Sequence, residues 1–105
     1  SYVLKDTILE KMIQKKGAQL IDVRTPGEYE RRHIKGAILI NYMADDFKTK
    51  AFEGIDKSTP VLIYCASGGR SAKSAKIYAE AGFTNVYNLL GGFNAWKRKN
   101  LEIEK

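Results

Sequence analysis

Apolar residues along this chain come in short blocks of two kinds. The first kind is dense: Gln19-Leu20-Ile21-Asp22-Val23, Ala37-Ile38-Leu39-Ile40, Val61-Leu62-Ile63-Tyr64 and Val86-Tyr87-Asn88-Leu89. Runs this short, apolar at both odd and even positions, predict strands buried on both faces, as parallel strands are. Tyr2-Val3-Leu4 is read as a short first strand. The second kind is spaced by three and four residues and predicts helices. Ile8, Leu9, Met12 and Ile13 form such a stripe, opened by Thr7 and Glu10 at capping-box spacing and ended before Gly17. Gly27 to Arg32 follows Pro26, a residue suited to a first helical turn. Ala44 to Glu53 carries Phe47, Ala51 and Phe52. Ala72, Ala75, Tyr78 and Ala79 are expected to share one buried face of a helix stopped at Gly82. A final helix follows Gly91-Gly92, with Phe93 and Trp96 on one side. Strand alternates with helix across short links, of which Asp56 to Pro60 is turn-rich. This predicts a three-layer α/β/α domain with a mainly parallel sheet. Residues 1–105 are read as one domain, without repeats or low-complexity segments.

Composition narrows the picture little. The 105 residues, 44% of them hydrophobic, suffice for one core. No stretch is long and apolar enough to span a bilayer, so no membrane partner is expected. Because the chain starts at Ser1 without a methionine, removal of an upstream targeting segment stays open beside a cytoplasmic location. A single cysteine allows no internal disulfide, no resolving thiol and no cysteine-based metal site, and suits a reducing compartment. The net charge of +6 comes from scattered groups: Lys15-Lys16, Arg31-Arg32, Lys73 with Lys76, and Lys97-Arg98-Lys99. Such groups are read as solvated helix faces, with no nucleic-acid partner, although the field they create favours small anions.

The candidate chemistry lies where the Val61–Tyr64 run ends. Cys65 is followed by Ala66-Ser67-Gly68-Gly69-Arg70 and then by a helix. A helix N-terminus leaves amides unpaired and carries partial positive charge. Gly68 and Gly69 permit backbone conformations that turn several amides inward as an anion-binding nest. A thiol at such a mouth ionises more readily, and the thiolate is the nucleophile. The competing reading is a buried, inert cysteine at a strand end. Arg70 adds a fixed positive charge pointing either into the loop or away from it. Asp22 and Arg24 sit at the sheet edge where α/β proteins place their sites, but are read as pinning loops. His33, the only histidine, is read as a structural hydrogen-bonder.

Tyr64-Cys65-Ala66-Ser67-Gly68-Gly69-Arg70-Ser71 resembles the active-site loop of the rhodanese family of sulfurtransferases. Leu20 to Tyr29, running on to His33-Ile34-Lys35-Gly36-Ala37, resembles that family's N-terminal signature, and Asn85 to Trp96 its C-terminal one. Arg32 departs from the pattern, standing where the family usually has glycine. The resemblance implies a rhodanese-like α/β domain with about five strands and the Cys65 strand central. It implies transfer of a sulfane sulfur from a small anionic donor, thiosulfate or a persulfide, through a Cys65 persulfide. The acceptor would be cyanide, a thiol or a partner protein's cysteine. Ala66, Ser67, Gly68, Gly69 and Arg70 would bind substrate. No cofactor and no metal are called for, and a monomer or weak dimer is expected.

Two other readings compete. Related dual-specificity phosphatases and arsenate reductases also pair a loop cysteine with an arginine, but those phosphatases place five residues between the two. Cys65 and Arg70 enclose four, making a smaller bowl suited to one sulfur. A non-catalytic rhodanese-like module that binds partners is the third reading, and such modules usually lack the cysteine.

Overall fold

The computed structural model describes residues 2–4, 12, 18–89, 91–98 and 103–104. Its elements are β1 (Tyr2–Leu4), β2 (Gln19–Asp22), α1 (Pro26–Arg31), β3 (His33–Ile34), β4 (Ile38–Leu39), α2 (Phe47–Phe52), β5 (Val61–Tyr64), α3 (Gly69–Glu80), β6 (Val86–Leu89), α4 (Gly92–Arg98) and β7 (Ile103–Glu104). Five strands form a wholly parallel sheet in the order β1-β6-β5-β2-β4. The expected first strand is present as β1. The helix expected over Thr7–Ile13 lies outside the described residues, apart from Met12. Among the described residues no helix is long and apolar enough to cross a membrane.

Alternate residues of the strands feed two cores, which makes the three layers. Ile21, Val61, Ile63 and Cys65 point to one face, where Phe47 and Ala51 of α2 and Ala75 and Tyr78 of α3 cover them. Leu20, Leu62, Tyr64 and Leu89 point to the other, under Phe93 and Trp96 of α4. All four residues of β5 are fully buried, as expected of a central parallel strand. Each large apolar side chain buried in this way stabilises the fold by about 1.5–3 kcal/mol.

Three expectations need correction. The Ala37–Ile40 run is not a buried strand. Only Ile38–Leu39 pairs, at the sheet edge, and Ile38 is 50% exposed, with no strand or helix covering it among the described residues. On α3 the buried face is Ser71, Ser74, Ala75 and Tyr78, while Ala72 and Ala79 face outward. The serines can turn inward because their hydroxyls find local acceptors, Ser74 Oγ donating to Arg70 O at 2.9 Å. His33 lies in β3, not on a loop, and β3 pairs antiparallel with β7. Its role is structural as expected: the ring stacks on Tyr29 at 3.8 Å and Nδ1 donates to Tyr29 O at 2.9 Å.

The stop at Gly82 is a Schellman motif. Gly82 takes φ +100°, its N–H bonds Ala79 O, and the Phe83 N–H reaches Tyr78 O. The accompanying apolar contact is the edge-to-face pair Tyr78–Phe83 at 5.0 Å. Arg32 costs the backbone nothing, since its φ of −164° is extended conformation open to any residue.

Candidate active site

β2 and β5 are neighbours in register, with Asp22 opposite Tyr64. After β2 the chain leaves for β4 on one side, and β5 lies on the other. Loops at these strand ends therefore part and leave a crevice, the usual place for a site in an open α/β sheet. The loop after β5 carries Cys65, which is only 1% exposed.

The loop wraps the sulfur in donors. Gly68, at φ +114°, is the left-handed residue that precedes α3, and its N–H donates to Cys65 Sγ at 3.0 Å. Gly69 has ordinary helical backbone, so only one of the two glycines is required for its conformation. Burial pushes the Cys65 thiol up, but the Ser71 hydroxyl and the amides of Ser71, Gly68 and Ser67 outweigh it. The net effect lowers the thiol from its ordinary value. Ser71 is a part of the site that sequence reasoning missed. It is completely buried, and its Oγ also lies within hydrogen-bond distance of Asn88 Oδ1 on β6, at 2.5 Å, and of Gly68 O, at 3.2 Å, acceptors that share its one proton with the sulfur. Its place in the first turn of α3, directly after Arg70, was the available signal.

The expected substrate-binding residues take different positions. Ser67 and Gly68 turn amides toward the sulfur. Ala66 instead presents its carbonyl to α4: Asn94 N–H bonds Ala66 O at 3.0 Å and Phe93 N–H bonds Cys65 O at 2.7 Å. That docking depends on Gly92, at φ +59°, where a Cβ would strike Cys65 O and lie 2.7 Å from Ala66 O. The Arg70 guanidinium makes two bonds with Glu28, Nη1 to Oε1 at 2.9 Å and Nη2 to Oε2 at 3.2 Å. Glu28 was not singled out from sequence. The signal was the Thr25–Glu28 capping box that opens α1. Arg70 first, and Thr25 after it, hold the Glu28 carboxyl at about 2, and burial only partly opposes them.

Asp22 and Arg24 form a separate, buried network that pins the loops as expected. Arg24 Nη2 bonds Asp22 Oδ2 at 2.7 Å and Arg32 O at 2.7 Å, and Tyr64 OH donates to Asp22 Oδ2 at 2.7 Å. Tyr64 OH in turn accepts the Ile34 N–H at 3.0 Å. Burial and the Asp22 carboxylate both push the Tyr64 hydroxyl up, so it stays protonated and donating. The Arg24 guanidinium also lies 4.4 Å from the Phe93 ring centroid, which ties α4 to the same cluster.

Open concavities flank the loop. One of about 350 Å³ is bounded by Ala66, Arg24, Glu28, Arg31, Arg32, Phe93, Asn94 and Lys97. A shallower one of about 470 Å³ is bounded by Ser67, Gly91, Asn94, Lys97 and Arg98. Both therefore share the Asn94–Lys97 stretch of α4.

Comparison with known proteins agrees with this geometry. The chain is 34% identical over 95 residues to thiosulfate sulfurtransferase GlpE of Vibrio cholerae serotype O1, covering 90% of this chain and 87% of that one. It is 35% identical over 94 residues to the chloroplastic thiosulfate sulfurtransferase 16 of Arabidopsis thaliana, covering 81% and 78%. The crystal structure of a rhodanese-like domain protein from Staphylococcus aureus superposes with a TM-score of 0.77 at 32% identity, over the full length of both chains. The Rhodanese-like domain model matches residues 6–99, and the chain belongs to the rhodanese family.

Proposed function

We propose that this protein is a sulfurtransferase that carries a sulfane sulfur on Cys65. Relatives named for thiosulfate sulfurtransfer support the reaction class. The observation that carries the reading is the Cys65 thiol, held at the end of the central strand and shifted toward thiolate despite its burial. Such a thiolate attacks the outer sulfur of thiosulfate. The S–S bond of the donor breaks, sulfite leaves with both its charges, and a Cys65 persulfide anion forms. Amides of Ser67, Gly68 and Ser71 donate toward Cys65 Sγ and stabilise negative charge on the loop sulfur, as donors of an oxyanion hole do. An ionised thiol needs no general base, which suits a site whose one histidine is stacked on Tyr29. Cyanide or a thiol then takes the outer sulfur and restores the thiolate. With no second cysteine in the chain, the loaded form awaits an external nucleophile. Arg70 is the residue assigned to bind the charges of the donor.

Intact mass after incubation with thiosulfate tests the reading. One added sulfur atom is expected, removed stoichiometrically by cyanide after desalting, with parallel double-reciprocal plots for the two substrates. Cys65→Ser should abolish loading with an unchanged circular dichroism spectrum. Loading that survives this change would remove Cys65 as the nucleophile, and turnover of an aryl phosphate in place of thiosulfate would point to the phosphatase chemistry.

A further inference from the structure

The concavity beside Ala66 gathers positive charge beyond the Arg70 assigned to thiosulfate. Ala66 follows Cys65 directly, and consecutive Cα atoms lie ~3.8 Å apart, so the groove borders the cysteine loop, with Cys65 itself behind its wall. Five ionisable side chains line this groove. Two of them are neutralised from behind, Arg24 by Asp22 and Glu28 by Arg70. The other three, Arg31, Arg32 and Lys97, are exposed, and among the described residues none of them is in an ion pair. They come from two elements distant in sequence, the end of α1 and the last turn of α4, and converge on one concavity. Lys97 lies against the Phe93 ring at 5.8 Å from its centroid, and Asn94 adds an amide to the same wall.

We propose that this groove is a carboxylate-binding subsite for the organic part of a low-molecular-weight thiol persulfide, R–S–SH. The proposal rests on the sulfurtransferase reading and names its substrate class. A concavity of about 350 Å³ is of small-molecule size and far exceeds thiosulfate. Guanidinium forks match carboxylates in shape and charge. Carboxylates on R pair with Arg31, Arg32 and Lys97 while the terminal sulfur reaches Cys65. The thiolate attacks that sulfur, the S–S bond of the donor breaks, and the Cys65 persulfide anion forms. R–SH departs with the proton that the persulfide carried, so neither an oxidant nor a reductant is consumed. In reverse, the same groove receives a carboxylate-bearing thiol as acceptor.

The test compares the efficiency with which two persulfides load Cys65: that of mercaptosuccinate, with two carboxylates, and that of 2-mercaptoethanol, with none. The native chain should prefer the first in kcat/KM by about tenfold, the size expected of two exposed charge pairs. The preference should fall toward parity in Arg31→Gln/Lys97→Gln and, in the native chain, with rising salt. Equal efficiency for both donors, or a preference that survives the double variant or high salt, overturns the subsite. Should the double variant fail to fold, Arg31→Gln and Lys97→Gln made singly decide: each should lower the preference, and an unchanged preference in both overturns the subsite, since salt also screens the general positive field of the chain. Thiosulfate loading followed by intact mass separates the two levels. No Cys65 persulfide from any donor overturns the sulfurtransferase reading and the subsite with it, whereas loading without charge preference overturns only the subsite.

Discussion

Two arginine–carboxylate pairs stand beside the same loop, and they differ in their access to water. Asp22–Arg24 closes at 2.7 Å, with side chains 0% and 5% exposed, and is tied further to Tyr64 OH and Arg32 O. Glu28–Arg70 closes at 2.9 Å, with side chains 31% and 28% exposed. A buried charge that loses its partner has no solvent to replace it, so the first pair behaves as a permanent strut. In the second pair water can solvate either partner, and the Coulomb energy is screened. Such a pair holds an arginine near the thiol without committing it. The difference separates an arginine locked into the scaffold from one whose ion pair stands open to solvent, although both are arginine–carboxylate pairs.

The sharpest way to break the comparison is Asp22→Ala. It leaves the Arg24 charge buried and Tyr64 OH without its acceptor, and should cost about 3–5 kcal/mol in urea unfolding. A loss below about 1 kcal/mol would mean that water reaches Arg24 and that the two pairs are alike. Arg70→Ala should have the opposite profile: a thiosulfate KM raised roughly tenfold, as for loss of a charge-assisted contact, with under about 1 kcal/mol of stability lost. An unchanged KM with a lower Tm would make Arg70 a loop anchor only.

The smallest effect is expected from Glu28→Gln, and it depends on pH. The carboxyl is lowered from 4.5 to about 2, so its contribution is complete above pH 4.5 and is lost as pH falls toward 2. At neutral pH the variant should be less stable by up to about 1 kcal/mol, the discounted value for an exposed pair. That gap should narrow visibly by pH 3 and close near pH 2. Urea midpoints at pH 7 and pH 3 measure it, and a gap that stays constant would show that the pair does not titrate with folding.

Much of this architecture could be read directly. β5 was legible because a strand buried on both faces admits apolar residues at every position, and Val61 to Tyr64 satisfy that. Cys65 was legible because a thiol followed by glycine and a helix is a chemical arrangement carried by adjacent residues. Glu28 was not, because its partner Arg70 lies 42 residues away and only the fold brings them together. Ser71 and Ser74 escaped for another reason: a serine looks polar in a periodicity argument, yet a locally satisfied hydroxyl buries as readily as an alanine. Ile38 misled in the reverse direction, since an apolar run does not say whether its strand will have a neighbour on each side.

Local sequence thus settled the alternation of strands and helices, the position of the cysteine-bearing loop and the stop at Gly82, all of which depend on residues within a few positions of one another. The fold settled what depends on distant partners. It decided which arginine is buried, which serine reaches the sulfur, and that Gly92 must lack a side chain because the Cys65 and Ala66 carbonyls pass against it. Backbone conformation and periodicity are short-range properties of the chain. Burial, and with it the strength of every charge around Cys65, is set by what the rest of the molecule places there.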